Sequence, residues 1–146
     1  ERFELEYTDK DGTKKRPIMI HRVCFGSIER FIGILIEHFA GMFPTWLAPV
    51  QVKVLPISEK FTDYAKSVKE QLDMAGIRTE IDNRDEKIGY KIREARNERV
   101  PYMIVVGEKD MEANKVSLRS RANGEEGQFD LADVIERVTK EIKERA

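Results

Sequence analysis

Only one cysteine, Cys24, occurs in the 146 residues. A single thiol excludes an internal disulfide framework and fits a reducing cytoplasm. Long hydrophobic runs are missing as well. No stretch approaches the roughly 18 apolar residues that a membrane span needs. The opening segment ERFELEYTDKDGTKKR is charged and alternating, which is not the pattern of a signal peptide. Charge of one sign is scarce: 26 basic against 27 acidic side chains leave a net charge of −1. That excludes a global basic field, so any nucleic-acid binding has to come from a local patch. There is no internal repeat and no low-complexity tract. The chain opens on Glu1 and not on Met, from which we expect an excised piece of a longer protein.

What is present is a soluble, globular pattern, 36% charged and 40% hydrophobic. Residues 1–26 predict a β-hairpin. Phe3, Leu5 and Tyr7 alternate with charged residues, Asp11-Gly12 is a turn signal, and a long strand is expected from Arg16 to Phe25. Ser27 is placed to cap a helix that carries Ile28, Phe31, Ile32, Leu35, Ile36 and Phe39 as one broad stripe. Gly41 and Pro44 end it. FPTWLAPVQ (43–51) reads as an ordered linker.

From residue 50 the rhythm changes to β-α-β-α-β-β-α. The strands are Gln51 to Ile57, Ile77 to Ile81, the nearly continuous apolar run Pro101 to Gly107, and Lys115 to Arg121. Ser58, Asp85 and Asp130 stand where the N-caps of the three helices belong. Alternation of this kind predicts a mixed, partly parallel sheet flanked by helices. About 97 residues can bury a real core. The first 46 have too little mutual surface to stand alone, and are expected to leave a strand edge and an apolar helix face uncovered. LPISEKF, after the first strand of the α/β part, has neither a Gly-rich phosphate loop nor an acidic cluster, which argues against a small nucleotide-binding or phosphorylation domain.

Arg30 is the odd residue. It falls in the first turn of its helix, where the helix dipole disfavours a cation. Either it pairs with a neighbouring carboxylate on a solvated face, or its charge serves something outside the helix. His21 is a lone histidine on the expected strand, where a structural role is more usual than a ligating one. On Lys115 to Arg121, period-two alternation puts Lys115, Ser117, Arg119 and Arg121 on one face and Val116 and Leu118 on the other. Gly89, inside a predicted helix, costs roughly 1 kcal/mol against alanine. It marks either tight packing on the sheet or close approach of a ligand. Lys91, Arg93 and Arg96 read as a solvated helix face; Tyr90 could stack on a base, but an aromatic beside this core is more often packing.

The stretch MIHRVCFGSIERFIGILIEHFAG, followed by FPTWLAPVQV, resembles the third signature motif of class II aminoacyl-tRNA synthetases in its threonyl form. IDNRDEKIGYKIREARNERVPYMIVVGEKD resembles the C-terminal anticodon-binding domain of the same family. The resemblance covers nearly all of the chain. It implies a class II anticodon-binding fold over residues 47–146. Residues 1–46 would be a hairpin and helix from the end of an antiparallel-sheet catalytic domain. It implies a parent that activates threonine with ATP and transfers it to tRNA, as a cytoplasmic homodimer without membrane attachment.

The resemblance also implies roles for single residues. Arg30 would contact the ATP triphosphate, clamping developing charge with paired hydrogen bonds. Ser27 would border the amino-acid pocket. His21 would be one of three protein ligands to a zinc ion that binds threonine's amino group and hydroxyl. The other two ligands and signature motifs 1 and 2 are absent from this chain. Zinc and ATP with magnesium therefore belong to the parent, and the piece alone is expected to hold none of them tightly and to be inactive. What it would keep is recognition of the anticodon loop, through Arg119, Asp85, Glu86, Lys87, Asp110 and Arg121. Arg119 is matched to a base, since a guanidinium fits the O6/N7 edge of guanine. Relatives more often carry Asn and Glu where this chain has Asp85 and Asp110. The competing reading is an interaction or regulatory module that shares the fold and has no ligase parent. Retention of His21, Ser27 and Arg30 argues against it.

Overall fold

A hairpin does form around Asp11-Gly12, but it is short. In the computed structural model, which describes residues 3–145, β1 (Tyr7–Thr8) pairs antiparallel with β2 (Lys14–Lys15). Asp11 fixes the turn by accepting from the Thr13 amide at 3.0 Å and hydroxyl at 2.6 Å. The expected long strand from Arg16 to Phe25 is absent. Among the described residues it has no strand to pair with, and Ile18 and Ile20 stand 91% and 79% exposed. A two-residue ladder without a covering layer does not propagate.

Helix α1 (Ile28–Phe39) starts where Ser27 predicts. The Arg30 amide donates to Ser27 Oγ at 3.4 Å, and the Ser27 hydroxyl donates to Glu29 at 2.7 Å. No residue of α1 is buried, so its apolar stripe gains nothing from packing. The chain divides into two compact units, Glu1–Gly33 and Ile34–Ala146, and α1 crosses the division.

The second unit is a five-stranded sheet in the order β4-β3-β5-β6-β7. Its strands are β3 (Val52–Pro56), β4 (Thr79–Ile81), β5 (Tyr102–Val106), β6 (Val116–Ser120) and β7 (Gly124–Phe129). β3 lies parallel to both β4 and β5, because α2 (Thr62–Met74) and α3 (Ile88–Asn97) provide the crossovers. β5, β6 and β7 run antiparallel. α2 and α5 (Leu131–Glu144) cover one sheet face, around Val54, Ile104, Leu118, Leu72 and Val138. α3 covers part of the other, where Ala95, Ile88 and Ile92 meet Leu55, Met103 and Val105. The large side chains that are fully buried among these, such as Leu55, Leu72 and Ile104, contribute about 1.5–3 kcal/mol of hydrophobic stabilisation each. The segment 43–51 is an ordered linker, as its composition predicts. Arg78 donates to the Trp46 and Ala48 carbonyls, Thr45 donates to Glu141 at 2.7 Å, and Gln51 donates to the Thr45 carbonyl. No helix among the described residues is long and apolar enough to cross a membrane.

Two elements go beyond the sequence reading. The six-residue α4 (Glu108–Ala113) is too short to show periodicity. β7 (GEEGQF) has one large apolar residue and two glycines, and forms by pairing with β6 and not by propensity. Two expectations are corrected. Lys91 is not on a solvated face: it is 3% exposed, and its ammonium donates to the Pro56 carbonyl at 3.0 Å and the Asp82 carbonyl at 3.2 Å. It ties the end of β3 to the loop before α3, giving both buried carbonyls a charged donor. Asp85 does not cap α3. Asp82 accepts from the Arg84 amide and guanidinium, which holds 82–84 in a non-helical turn. The helix therefore begins two residues later, after Lys87.

Candidate nucleic-acid interface

α3 spans only part of its sheet face, and the remainder of that face is polar. Strand pairing identifies the side chains. Arg119 lies opposite Met103 and Ser117 opposite Val105, the two β5 residues that pack towards α3. On the far side of β6, Gln128 faces Ser117 and Glu125 faces Arg119. Ser117, Arg119, Gln128 and Glu125 therefore share the face on which α3 sits, on strands that α3 does not cover. Alternation within β6 separates this row from Val116, Leu118 and Ser120, which are buried under the opposite layer. The separation expected for Ser117 and Arg119 is thus present, with Lys115 and Arg121 just outside the strand ends.

Asp110 joins α4 to this row. It is 5% exposed and accepts three hydrogen bonds: from the Gly107 amide at 3.0 Å, the Ser117 hydroxyl at 2.8 Å and the Gln128 side-chain amide at 2.9 Å. Both carboxylate oxygens are therefore occupied from within the protein. Asp110 fixes the start of α4 and sets the positions of Ser117 and Gln128. A cleft of about 550 Å³ opens beside them, lined also by Ile57, Phe61 and Lys109. It lies past the C-terminal ends of the parallel strands β3 and β5, where open α/β sheets usually bind ligands.

Arg119 is ion-paired with Glu125 at 2.8 Å across the β6–β7 ladder. Arg121 is differently employed. Its guanidinium donates to the Phe43 and Arg99 carbonyls at 2.8 Å each, and so holds the linker. Burial beside Arg99 lowers its pKa. Asp85, Glu86 and Lys87 are exposed on the loop leading into α3, on the same side of the sheet. Beyond them Tyr90 is not core packing: it is 36% exposed, and the Arg84 and Arg93 guanidiniums lie over its ring, 5.7 and 5.4 Å from the ring centre. The Arg84 guanidinium, paired on both Asp82 oxygens, holds the Asp82 carboxyl below the usual range. The packing explanation of Gly89 also falls away. A methyl group there would meet nothing within 4 Å, so the glycine leaves open surface at the start of α3.

His21, Ser27 and Arg30 are exposed in the first unit. No group of three His, Cys, Asp or Glu among the described residues could hold a metal ion. His21 therefore has no zinc-ligating companions among the described residues.

Sequence reasoning missed Glu125, Gln128 and the Arg84–Tyr90–Arg93 stack. Glu125 and Gln128 belong to a strand that local pattern did not reveal. Tyr90 and Arg93 are i, i+3 neighbours on α3, a spacing the sequence does carry, whereas the approach of Arg84 depends on the turn that Asp82 holds.

Comparison with known proteins agrees with this geometry. Residues 51–141 match the anticodon binding domain family. Over all 146 residues the chain is 62% identical to a threonine–tRNA ligase of Caldanaerobacter subterraneus, and over 143 residues 61% identical to one of Clostridioides difficile. It spans only 23% and 22% of those relatives' lengths. The crystal structure of the RNA binding domain of threonyl-tRNA synthetase from Cryptosporidium parvum superposes with a TM-score of 0.73 at 38% identity, covering 95% of this chain and 35% of that one. A prolyl-tRNA synthetase from the same organism shares the fold, with a TM-score of 0.68 at 24% identity. The mixed sheet, its flanking helices and the family match over residues 51–141 lead to one conclusion: the chain belongs to the anticodon binding domain family.

Proposed function

We propose that this chain is the anticodon-reading part of a threonine–tRNA ligase, and that it binds the anticodon loop of threonine tRNA on the uncovered β6–β7 face. The observation that carries the reading is that half-face itself. α3 leaves it open, and it presents Arg119 among neutral and acidic polar groups beside a cleft. Readers of unpaired bases need mixed hydrogen-bonding chemistry more than a basic field, which suits a chain of net charge −1. Threonine codons begin with AC, so the anticodon carries G and then U at its second and third positions. Arg119 takes the guanine through its O6/N7 edge. Asp85, Glu86 and Lys87 approach the loop from the start of α3, where the open surface at Gly89 admits a backbone. Asp110 acts through Ser117 and Gln128.

Residues 1–46 are, on this reading, the end of the catalytic domain. Arg30 belongs to the ATP phosphates and Ser27 to the amino-acid pocket. His21 belongs to a zinc site completed by residues outside this chain. The parent is an ATP-using cytoplasmic homodimer. The chain alone makes no threonyl-adenylate, and threonine-dependent pyrophosphate exchange will stay at background. Exchange above background would show that the missing motifs are dispensable.

The test of RNA reading is fluorescence anisotropy with a threonine anticodon stem-loop and a control loop in which G and U are exchanged, at two salt concentrations. The native loop binds tighter, and Arg119→Ala reduces the preference by roughly 5- to 100-fold, the worth of one bidentate base contact. Equal binding of both loops with a steep salt dependence would mean that only phosphates are contacted, and the assignment of this face would fail.

A further inference from the structure

We infer that Glu125 is a positioning residue for Arg119, aimed by a β-bulge, and that it converts a mobile cation into a directed reader of guanine. The inference rests on Arg119 as the base contact. It adds a residue and a backbone device to that reading.

The register of β6 and β7 carries the argument. Ser117 pairs with Gln128 and Leu118 with Gly127, as an unbroken ladder requires. The next pair is Arg119 with Glu125, so the ladder shifts between Leu118 and Arg119 and leaves Glu126 without a partner strand residue. Such a bulge has a definite effect on side-chain direction. In an unbroken ladder Arg119 would face Glu126, and Glu125 would lie against Ser120 on the buried side of the sheet. With the bulge, Glu126 turns to the opposite layer and binds Arg137 of α5 through both oxygens. Glu125 returns to the polar face and meets Arg119. Gly127, at φ +103°, supplies a backbone conformation at the bulge that side chains with a Cβ rarely adopt.

The Arg119–Glu125 pair is a poor candidate for a stability device. The Glu125 side chain is 72% exposed, and exposed pairs of this kind contribute little to folding. The Arg119 side chain is only 24% exposed, with Met103 opposite on β5 and Glu125 on β7. The carboxylate takes one edge of the guanidinium at 2.8 Å through Nη1. Its remaining N–H groups are left for a ligand, in a plane already set. A carboxylate that holds one edge of a guanidinium reduces the freedom lost when the other edge meets a base, and restricts the directions in which it can donate. Glu125 also places an exposed negative charge beside the Arg119 guanidinium, where it opposes the approach of a phosphate. That charge weakens unselective binding while it sharpens the selective contact.

The experiment uses the full 146-residue chain and two anticodon stem-loops that differ only in G or A at the second anticodon position. Glu125→Gln keeps the side-chain shape and removes the charge. It is expected to lower the G-over-A preference about fivefold or more, with A-loop affinity unchanged or higher. The thermal midpoint should stay within about 2 °C of the parent chain, as befits an exposed pair. In an Arg119→Ala background the same substitution should leave the preference unaltered, because Glu125 acts only through Arg119. Full preference in Glu125→Gln, with preference lost in Arg119→Ala, overturns the positioning role and leaves Arg119 as reader. An equal loss on both backgrounds also overturns it, since Glu125 would then contact the RNA independently. Retained preference in Arg119→Ala overturns the assignment of Arg119 and the role of Glu125 together.

Discussion

Asp110→Ala will lower the thermal midpoint by roughly 10 °C and remove anticodon discrimination at the same time. The carboxylate accepts from a buried backbone amide, a hydroxyl and a side-chain amide within 3.0 Å. Its loss strands all three donors. Ser117 and Gln128 are exposed enough to find water, but the Gly107 amide is buried at the start of α4. An unsatisfied buried donor and a lost helix-start bond cost about 2–3 kcal/mol together. That corresponds to roughly 10 °C in a unit of this size. Binding fails for the same reason, because Ser117 and Gln128 lose the group that orients them beside the cleft. Asp110→Asn separates orientation from direct contact. An amide keeps the volume and can satisfy most of the three partners, so stability should largely return, and base preference with it. If Asp110→Asn is stable yet loses all preference, the carboxylate touches the RNA itself, and its role as a support is wrong. Thermal melts and anisotropy on the same preparations decide the matter.

Removing the second carboxylate of the bulge has a comparable effect, with a pH signature. Glu126, mostly buried, is bonded to both Arg137 nitrogens, and this pairing draws its carboxyl down to about 2. Its folded value lies below its ordinary value, so the ionised form is favoured by folding. The stability it adds is complete above about pH 5 and is lost as pH falls from there through about 2. The shift corresponds to an upper limit of about 3 kcal/mol, and partial exposure of the Arg137 side chain brings the expected contribution to about 1–3 kcal/mol. Glu126→Gln should therefore be less stable at pH 7 by that amount. Urea midpoints measured from pH 7 to pH 2.5 should converge for parent and variant in acid. Parallel curves over that range would show that the pair contributes nothing through ionisation. Because Glu126 anchors the bulge that turns Glu125 towards Arg119, the variant should also lose part of its preference for the guanine-bearing loop.

Much of the fold is legible in local pattern. The helix stripes, the buried run Tyr102–Val106 and the alternation around Ser117 and Arg119 predict a mixed sheet with helices packed against it. The start of α1 follows from Ser27, whose hydroxyl oxygen accepts from the Arg30 amide, and α5 starts directly after Asp130, as expected, although the Asp130 side chain makes no capping bond. The long strand expected from Arg16 to Phe25 shows where pattern stops. Alternation makes a segment able to pair, but pairing needs a second strand, and the described residues offer none beyond Lys14–Lys15. Lys91 shows the same limit from another side. An ammonium on a helix looks solvated until the loop at Asp82 and the end of β3 are folded over it.

By itself the sequence determined the class of the fold, the order of its main elements and the sorting of Ser117 and Arg119 from Val116 and Leu118, because these depend on periodicity and turn residues close together in the chain. Only the tertiary structure decided what surrounds Arg119. It turned Asp110 inward as a support and committed Arg121 to the Phe43 and Arg99 carbonyls. It exposed Tyr90 beside two guanidiniums and brought Glu125 to Arg119 across a bulged ladder. Each of these outcomes depends on strand register or on which helix covers which strand. Register is set by backbone pairing between segments that local composition leaves nearly unconstrained, and a shift of one residue exchanges the two faces.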